Sequence, residues 1–146
     1  MAGMTPLSLL ATVPFAHRAD LEILVAEGGH VAVRIRNEPK NQNHVGTLHA
    51  AALVLVGETA GGLAILNEPS LSGFRLVAKG LEIRYRKPAS TAVTATARIS
   101  AEQVAVTLAT LDSVGKADLP LSIELLNEEG AAVAELTVDY HLRKQG

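Results

Sequence analysis

One acidic residue stands alone in a long apolar stretch. Val45 to Ala64 reads VGTLHAAALVLVGETAGGLA, and Glu58 is its only charged side chain. A carboxylate held among apolar groups loses hydration, so its pKa rises and it becomes a better base near neutral pH. The stretch opens at Val45, and Thr47 can cap its start. If it is a helix, the first amides there have no partner within the helix and sit at the positive end of its dipole. Such donors suit a developing oxyanion. Attack of water on an acyl carbon needs both parts, a base and an oxyanion site.

Glu58 also has a plainer reading, as a carboxylate that caps a neighbouring backbone or pairs with an arginine. The cost of desolvation makes idle buried carboxylates uncommon, which favours function. For His49 the two readings, hydrogen-bonded helix end or site residue, balance. His44 reads as a loop residue. It lies five positions from His49 with no third ligand in view, so no metal site is expected. Spacing adds a constraint. His49 and Glu58 are nine residues apart, about half a turn out of phase on one helix and about 13 Å apart along it. A single helix does not present both to one small site. Two such helices running antiparallel across a dimer interface do.

The elements that must hold these residues follow from periodicity. Met4 to Pro14 is a short apolar stretch without a basic leader, expected as a helix packed on the domain rather than a signal peptide. Leu21–Glu27 and Val31–Arg36 flank Gly28-Gly29-His30 and read as a hairpin. A polar loop runs from Asn37 to His44. The Ala-rich stretch then reads as a buried helix, apolar on every side, capped by Thr47 and ended by Gly61-Gly62. Leu76–Arg86 and Ala92–Ile99 read as strands, with Leu81, Ile83 and Tyr85 alternating against Glu82, Arg84 and Arg86. Ser100-Ala101-Glu102-Gln103 fits a capping box that opens a short helix to about Leu111, with Val104-Ala105-Val106 as the alternative extension of a strand. Leu119–Leu126 and Ala131–Leu142 form a second hairpin around Asn127-Glu128-Glu129-Gly130. One buried helix against a largely antiparallel sheet is an α+β design. Its two sheet edges need protection, and pairing with a second copy supplies it.

Composition narrows the classes. The chain has 146 residues, enough for one domain. With 48% hydrophobic residues but two Phe, two Tyr and no Trp, the core must be aliphatic. The net charge is −2 with scattered Lys and Arg, so nucleic acid is not expected as a partner. No cysteine is present, which removes disulfides, thiolate catalysis and cysteine-ligated zinc and accords with a cytoplasmic protein. The longest apolar run, Ala50–Val56, is too short to span a bilayer, so no membrane partner is expected.

Asn43-His44-Val45-Gly46-Thr47-Leu48-His49-Ala50-Ala51, followed by Gly57-Glu58-Thr59-Ala60, resembles the signature of hotdog-fold acyl-CoA thioesterases. It is similar to the phenylacetate-pathway type and its uncharacterised relatives. Leu81 to Ala89 and Gly130 to Tyr140 resemble the family's later strands. The resemblance implies a single hotdog domain over residues 1–146, a sheet wrapped around a long central helix. It implies Glu58 as general base or nucleophile, the Ala50 amide as carbonyl-polarising donor, Asn43 holding water or the carboxylate, and His49 near the leaving sulfur. Acyl-CoA or a similar thioester would be the substrate, with no cofactor, and the unit a homodimer or a dimer of dimers. Arg84, Arg86 and Lys87 are candidates for the phosphates of coenzyme A, against the plainer reading of a solvated strand edge. Where relatives carry His-Gly-Gly, this chain has His49-Ala50-Ala51; the donor survives and the methyl groups narrow the approach. That departure sustains a second reading, a non-catalytic hotdog that binds acyl-CoA or acyl carrier protein. A third, a hotdog dehydratase using His44 with Glu58, lacks the His-Phe-Pro-Gly loop.

Overall fold

Lys116–Leu126 alternates strictly between exposed and buried residues, as a strand with one solvated face must. In the computed structural model, which describes residues 5–145, that strand lies near the middle of a six-stranded antiparallel sheet. The elements are α1 (Pro6–Ala11), α2 (Pro14–Arg18), β1 (Glu22–Glu27), β2 (His30–Ile35), α3 (Ala50–Asn67), β3 (Arg75–Tyr85), β4 (Val93–Arg98), α4 (Ala101–Val114), β5 (Lys116–Leu126) and β6 (Ala132–Arg143). The sheet order is β1-β2-β4-β5-β6-β3, so β1 and β3 are the edges. The inner face carries Val31, Val33, Ile35, Leu121, Ile123, Leu136 and Val138, all buried. Helix α3 lies across that face and touches every strand of the sheet.

Close approach explains the glycines of α3. A Cβ on Gly57 would collide with Leu136, and one on Gly61 with the Tyr140 hydroxyl and Ile123. Gly61-Gly62 therefore does not end the helix. It is the contact point with β6, and α3 runs on to Asn67. The start is corrected too. His49, not Thr47, is the N-cap: its Nδ1 accepts the Ala51 N–H at 2.9 Å. The Thr47 hydroxyl accepts the Asn43 side-chain amide instead.

Three further expectations change. Among the described residues, α3 is the one helix long and apolar enough to cross a membrane by length and composition, so the short Ala50–Val56 run understated it. Half of that helix is buried within the domain. Helix α3 is not covered on all sides, because the sheet wraps one flank only; Leu55, Glu58, Thr59 and Gly62 are half-exposed. The stretch expected as one N-terminal helix breaks in two at Pro14, which opens α2. Met4 lies outside the described residues. The hairpin around Gly28 and the Ser100–Gln103 capping box form as expected, with α4 extending to Val114.

Strand β3 is less covered than its alternation suggests. Leu81 and Tyr85 are 46% and 49% exposed, and Val77 is 51% exposed. The physical reason is position: among the described residues β3 pairs with β6 on one side and with no strand on the other.

Candidate active site

Glu58 sits midway along α3, on the flank that the sheet leaves uncovered. Its cleft encloses about 300 Å³ between α1, α2, α3 and the start of β3, with Leu10, Val13, Leu63 and Leu76 in its walls. Burial pushes the Glu58 carboxyl above its ordinary value, and no arginine or lysine offsets that loss of water. The capping and arginine-pairing readings of this side chain find no support, since it enters no ion pair or hydrogen bond among the described residues.

The turn carrying Glu58 is fixed from behind. The Tyr140 hydroxyl donates to the Glu58 backbone carbonyl at 2.5 Å. Burial raises the pKa of this phenol, and the Glu58 charge raises it further, so it remains a donor. Tyr140 was not marked by the sequence. Its signal was the Gly61-Gly62 pair, which leaves room for a ring against the helix.

The start of α3 holds the other expected residues. The Ala51 amide is capped by His49, and the Ala52 and Leu53 amides turn back to the His49 carbonyl at 2.9 and 3.2 Å. The Ala50 N–H is left without a partner among the described residues. It is an exposed donor at a helix N-terminus, as an oxyanion requires. Because His49 Nδ1 accepts a hydrogen bond, the neutral ring carries its proton on Nε2. The Ala50 carbonyl accepts the Tyr85 hydroxyl at 2.9 Å, which ties the end of β3 to the helix start.

Asn43 is committed to its loop. Its Oδ1 accepts the Val45 and Thr47 amides at 3.0 and 3.1 Å, and its Nδ2 donates to Thr47 Oγ1 at 2.8 Å. The turn-forming role is thus the visible one. Arg86 pairs with Glu135 at 2.7 Å, Arg84 lies 3.7 Å from Glu82, and Lys87 is exposed with no ion-pair partner among the described residues. His44 is exposed in the loop.

These residues fall into three separate clefts. Glu58 lines the first. His49 lines a second, of about 500 Å³, with Arg18 and Lys40. Asn43, Ala50, Arg86 and Lys87 line a third, of about 410 Å³, closed on one side by Tyr85. Within one chain, the base and the oxyanion donor do not face a common space. Among the described residues no three His, Asp or Glu side chains gather as a metal site would need.

Residues 6–142 match the family described as "Domain of unknown function (DUF4442)". No curated protein matches the chain. Several solved structures do. A Pseudomonas aeruginosa protein of unknown function, called a probable thioesterase, is 31% identical with a TM-score of 0.85 over 92% of this chain and 89% of that one. The Escherichia coli PaaI protein from the phenylacetic acid degradation operon is 20% identical, with a TM-score of 0.73 over 95% and 90% of the two chains. A point mutant of a thioesterase enzyme from Staphylococcus aureus is also 20% identical, with a TM-score of 0.72 over 90% and 99%. The last two likenesses are likenesses of fold.

Proposed function

The chain belongs to the DUF4442 family and has the hotdog fold of the thioesterase superfamily, and on that premise we propose that it hydrolyses an acyl-CoA thioester. The observation that carries the proposal is Glu58: a carboxylate with a raised pKa and no neutralising partner, facing an apolar cleft.

The chemistry follows from the groups present. The Glu58 carboxylate takes a proton from water as that water attacks the thioester carbon. The carbonyl oxygen gains negative charge and receives the free Ala50 N–H. Collapse of the tetrahedral adduct breaks the C–S bond. His49 Nε2 donates a hydrogen bond to the departing sulfur, and the thiolate takes, through solvent, the proton that Glu58 drew from the attacking water. The products are a carboxylic acid and free coenzyme A. Asn43 acts as a positioning residue that holds the loop in front of the helix, rather than as a group that touches water. Lys87 and Arg86, which line the same cleft as Ala50, would meet the phosphates in this reading, with Arg86 exchanging Glu135 for the ligand. Arg84 joins them at the same strand end.

The active unit in this reading is a homodimer joined through the open edge of β3. That edge runs from the Glu58 cleft, which Leu76 and Val77 line, to the start of α3, which Tyr85 holds. Antiparallel pairing of two β3 strands about their middle sets residues 75–77 of one chain opposite residues 83–85 of the other. Glu58 of each chain then approaches the helix start of its partner. The half-exposed flank of α3 and the exposed Leu81 and Tyr85 become the interface.

A panel of acyl-CoA substrates followed by free-thiol release tests the proposal. Wild type is expected to turn over at least one substrate, and Glu58→Ala to lose about 10²–10⁴-fold in rate. Binding of acyl-CoA without thiol release at any chain length rejects hydrolysis in favour of an acyl-CoA-binding protein.

A further inference from the structure

The first cleft has a wall that the expected site residues do not include. Helices α1 and α2 close it with Leu9, Leu10, Val13 and Ala16, opposite Leu66 of α3 and Leu76 of β3. Every one of these side chains is aliphatic. The polar groups in the walls are mostly spoken for. Thr12 Oγ1 donates to the Leu9 carbonyl at 2.7 Å, and the Tyr140 hydroxyl is held by Glu58. Only Thr59 and the Glu58 carboxylate remain to meet a ligand.

Charge is distributed in a matching way. Among the described residues no lysine, arginine or histidine lines this cleft. The cations cluster instead around the helix start, with Arg18 and Lys40 in one cleft and Arg86 and Lys87 in the other. A ligand with an anionic head and a neutral apolar tail fits that division. A tail ending in a carboxylate would meet Glu58 and no cation. The aromatic residue in its lining, Tyr140, is fully buried with its ring against Gly61, and Phe15 lines a different cleft and is 66% exposed. The volume, about 300 Å³, lies at the small end of the range of roughly 300–1,000 Å³ for small-molecule sites.

We propose that this cleft is the acyl pocket, that it takes an unsubstituted straight aliphatic acyl group of limited length, and that the α1–α2 wall sets that length through Leu10, Val13 and Ala16. The proposal rests on the thioesterase reading above and names its substrate class. Methylenes enter past Glu58 and stop against α1 and α2. Each one transferred from water into the pocket tightens binding by about fourfold until the space is filled.

The test uses non-hydrolysable S-alkyl-CoA thioethers from two to twelve carbons, with S-benzyl-CoA and an ω-carboxyalkyl thioether as comparisons. Dissociation constants are measured for the wild-type protein, Val13→Phe and Leu10→Ala. Wild type is expected to gain about fourfold per methylene and then level off. Val13→Phe, at a half-exposed position that leaves the core intact, levels off earlier. Leu10→Ala levels off later. A flat length series, tighter binding of the benzyl or carboxyalkyl compound, or a break point that neither variant moves overturns the assignment. The matching acyl-CoA esters are then assayed for thiol release. If the thioethers follow the expected series and no ester is cleaved, the hydrolytic reading falls while the pocket assignment stands.

Discussion

Glu58 is held where its charged form is poorly solvated, and two consequences follow. The first concerns activity: kcat/KM should fall on the acid side with an apparent pKa above the ordinary 4.5, because the carboxylate is the active form. The second concerns stability. The folded state binds this proton more tightly than the unfolded chain does. Below the unfolded value both states are protonated, and burial of the acid is tolerated. As pH rises past that value and through the folded one, ionisation inside the cleft removes stability. Glu58→Gln should therefore melt above wild type at neutral pH, with the gap closing toward pH 4, while its thiol release is lost. Melting curves across pH check the sign, and an equal gap at every pH would reject it. Gly61 and Gly62 offer a paired test beside it. Gly61→Ala forces a methyl into Tyr140 and Ile123 and should destabilise by about 1–3 kcal/mol. At Gly62 a Cβ meets nothing closer than 3.9 Å, so Gly62→Ala should be neutral or stabilise by up to about 1 kcal/mol from helix propensity. Urea denaturation reads both.

Helix α3 carries both candidate groups, one at its start and one at its middle. Its start offers the Ala50 N–H, and its middle carries Glu58. The start can be tested without disturbing the helix, because proline is well tolerated at the first helical position. His49 already has extended backbone angles (φ −62°, ψ 143°), as a residue before proline requires. Ala50→Pro removes the free donor and little else. Thiol release should drop by about 10²–10³-fold while the melting temperature stays near wild type. Unchanged activity would show that another group meets the oxyanion. Strand β3 is the other element with a double role. It walls the Glu58 cleft at one end, and through Tyr85 it braces the helix start at the other.

For the whole molecule, the separation of the three clefts is the central fact. A lone chain keeps Glu58 apart from the Ala50 amide, so in the proposed homodimer each complete site would draw on two chains. In a mixed dimer of Glu58→Ala and Ala50→Pro chains, one of the two sites regains both parts. Co-refolded mixtures should recover activity that neither variant has alone; absence of recovery would mean the sites are not shared. Leu81→Asp places a charge in the middle of the β3 edge and should yield monomers by sedimentation, with activity lost in parallel.

Much of this was legible in the residues alone. Alternation in β2, the glycine turn at Gly28, the second hairpin around Asn127–Gly130 and the Ser100–Gln103 capping box are local signals, and local sterics and hydrogen bonds decide them. The lone acid of the apolar helix was equally visible, because a single charge in such a run has no competing pattern. What the chain alone did not reveal was where α3 ends, what Gly61 is for, and which flank of the helix stays open. Each depends on a partner distant in sequence: Tyr140 on β6, or the absence of a seventh strand beside β3. The sequence by itself determined the elements and the candidate base. Only the tertiary structure decided that α1 and α2 wall the Glu58 cleft and that the base and the free amide face different spaces, because those relations are set by packing between segments far apart along the chain.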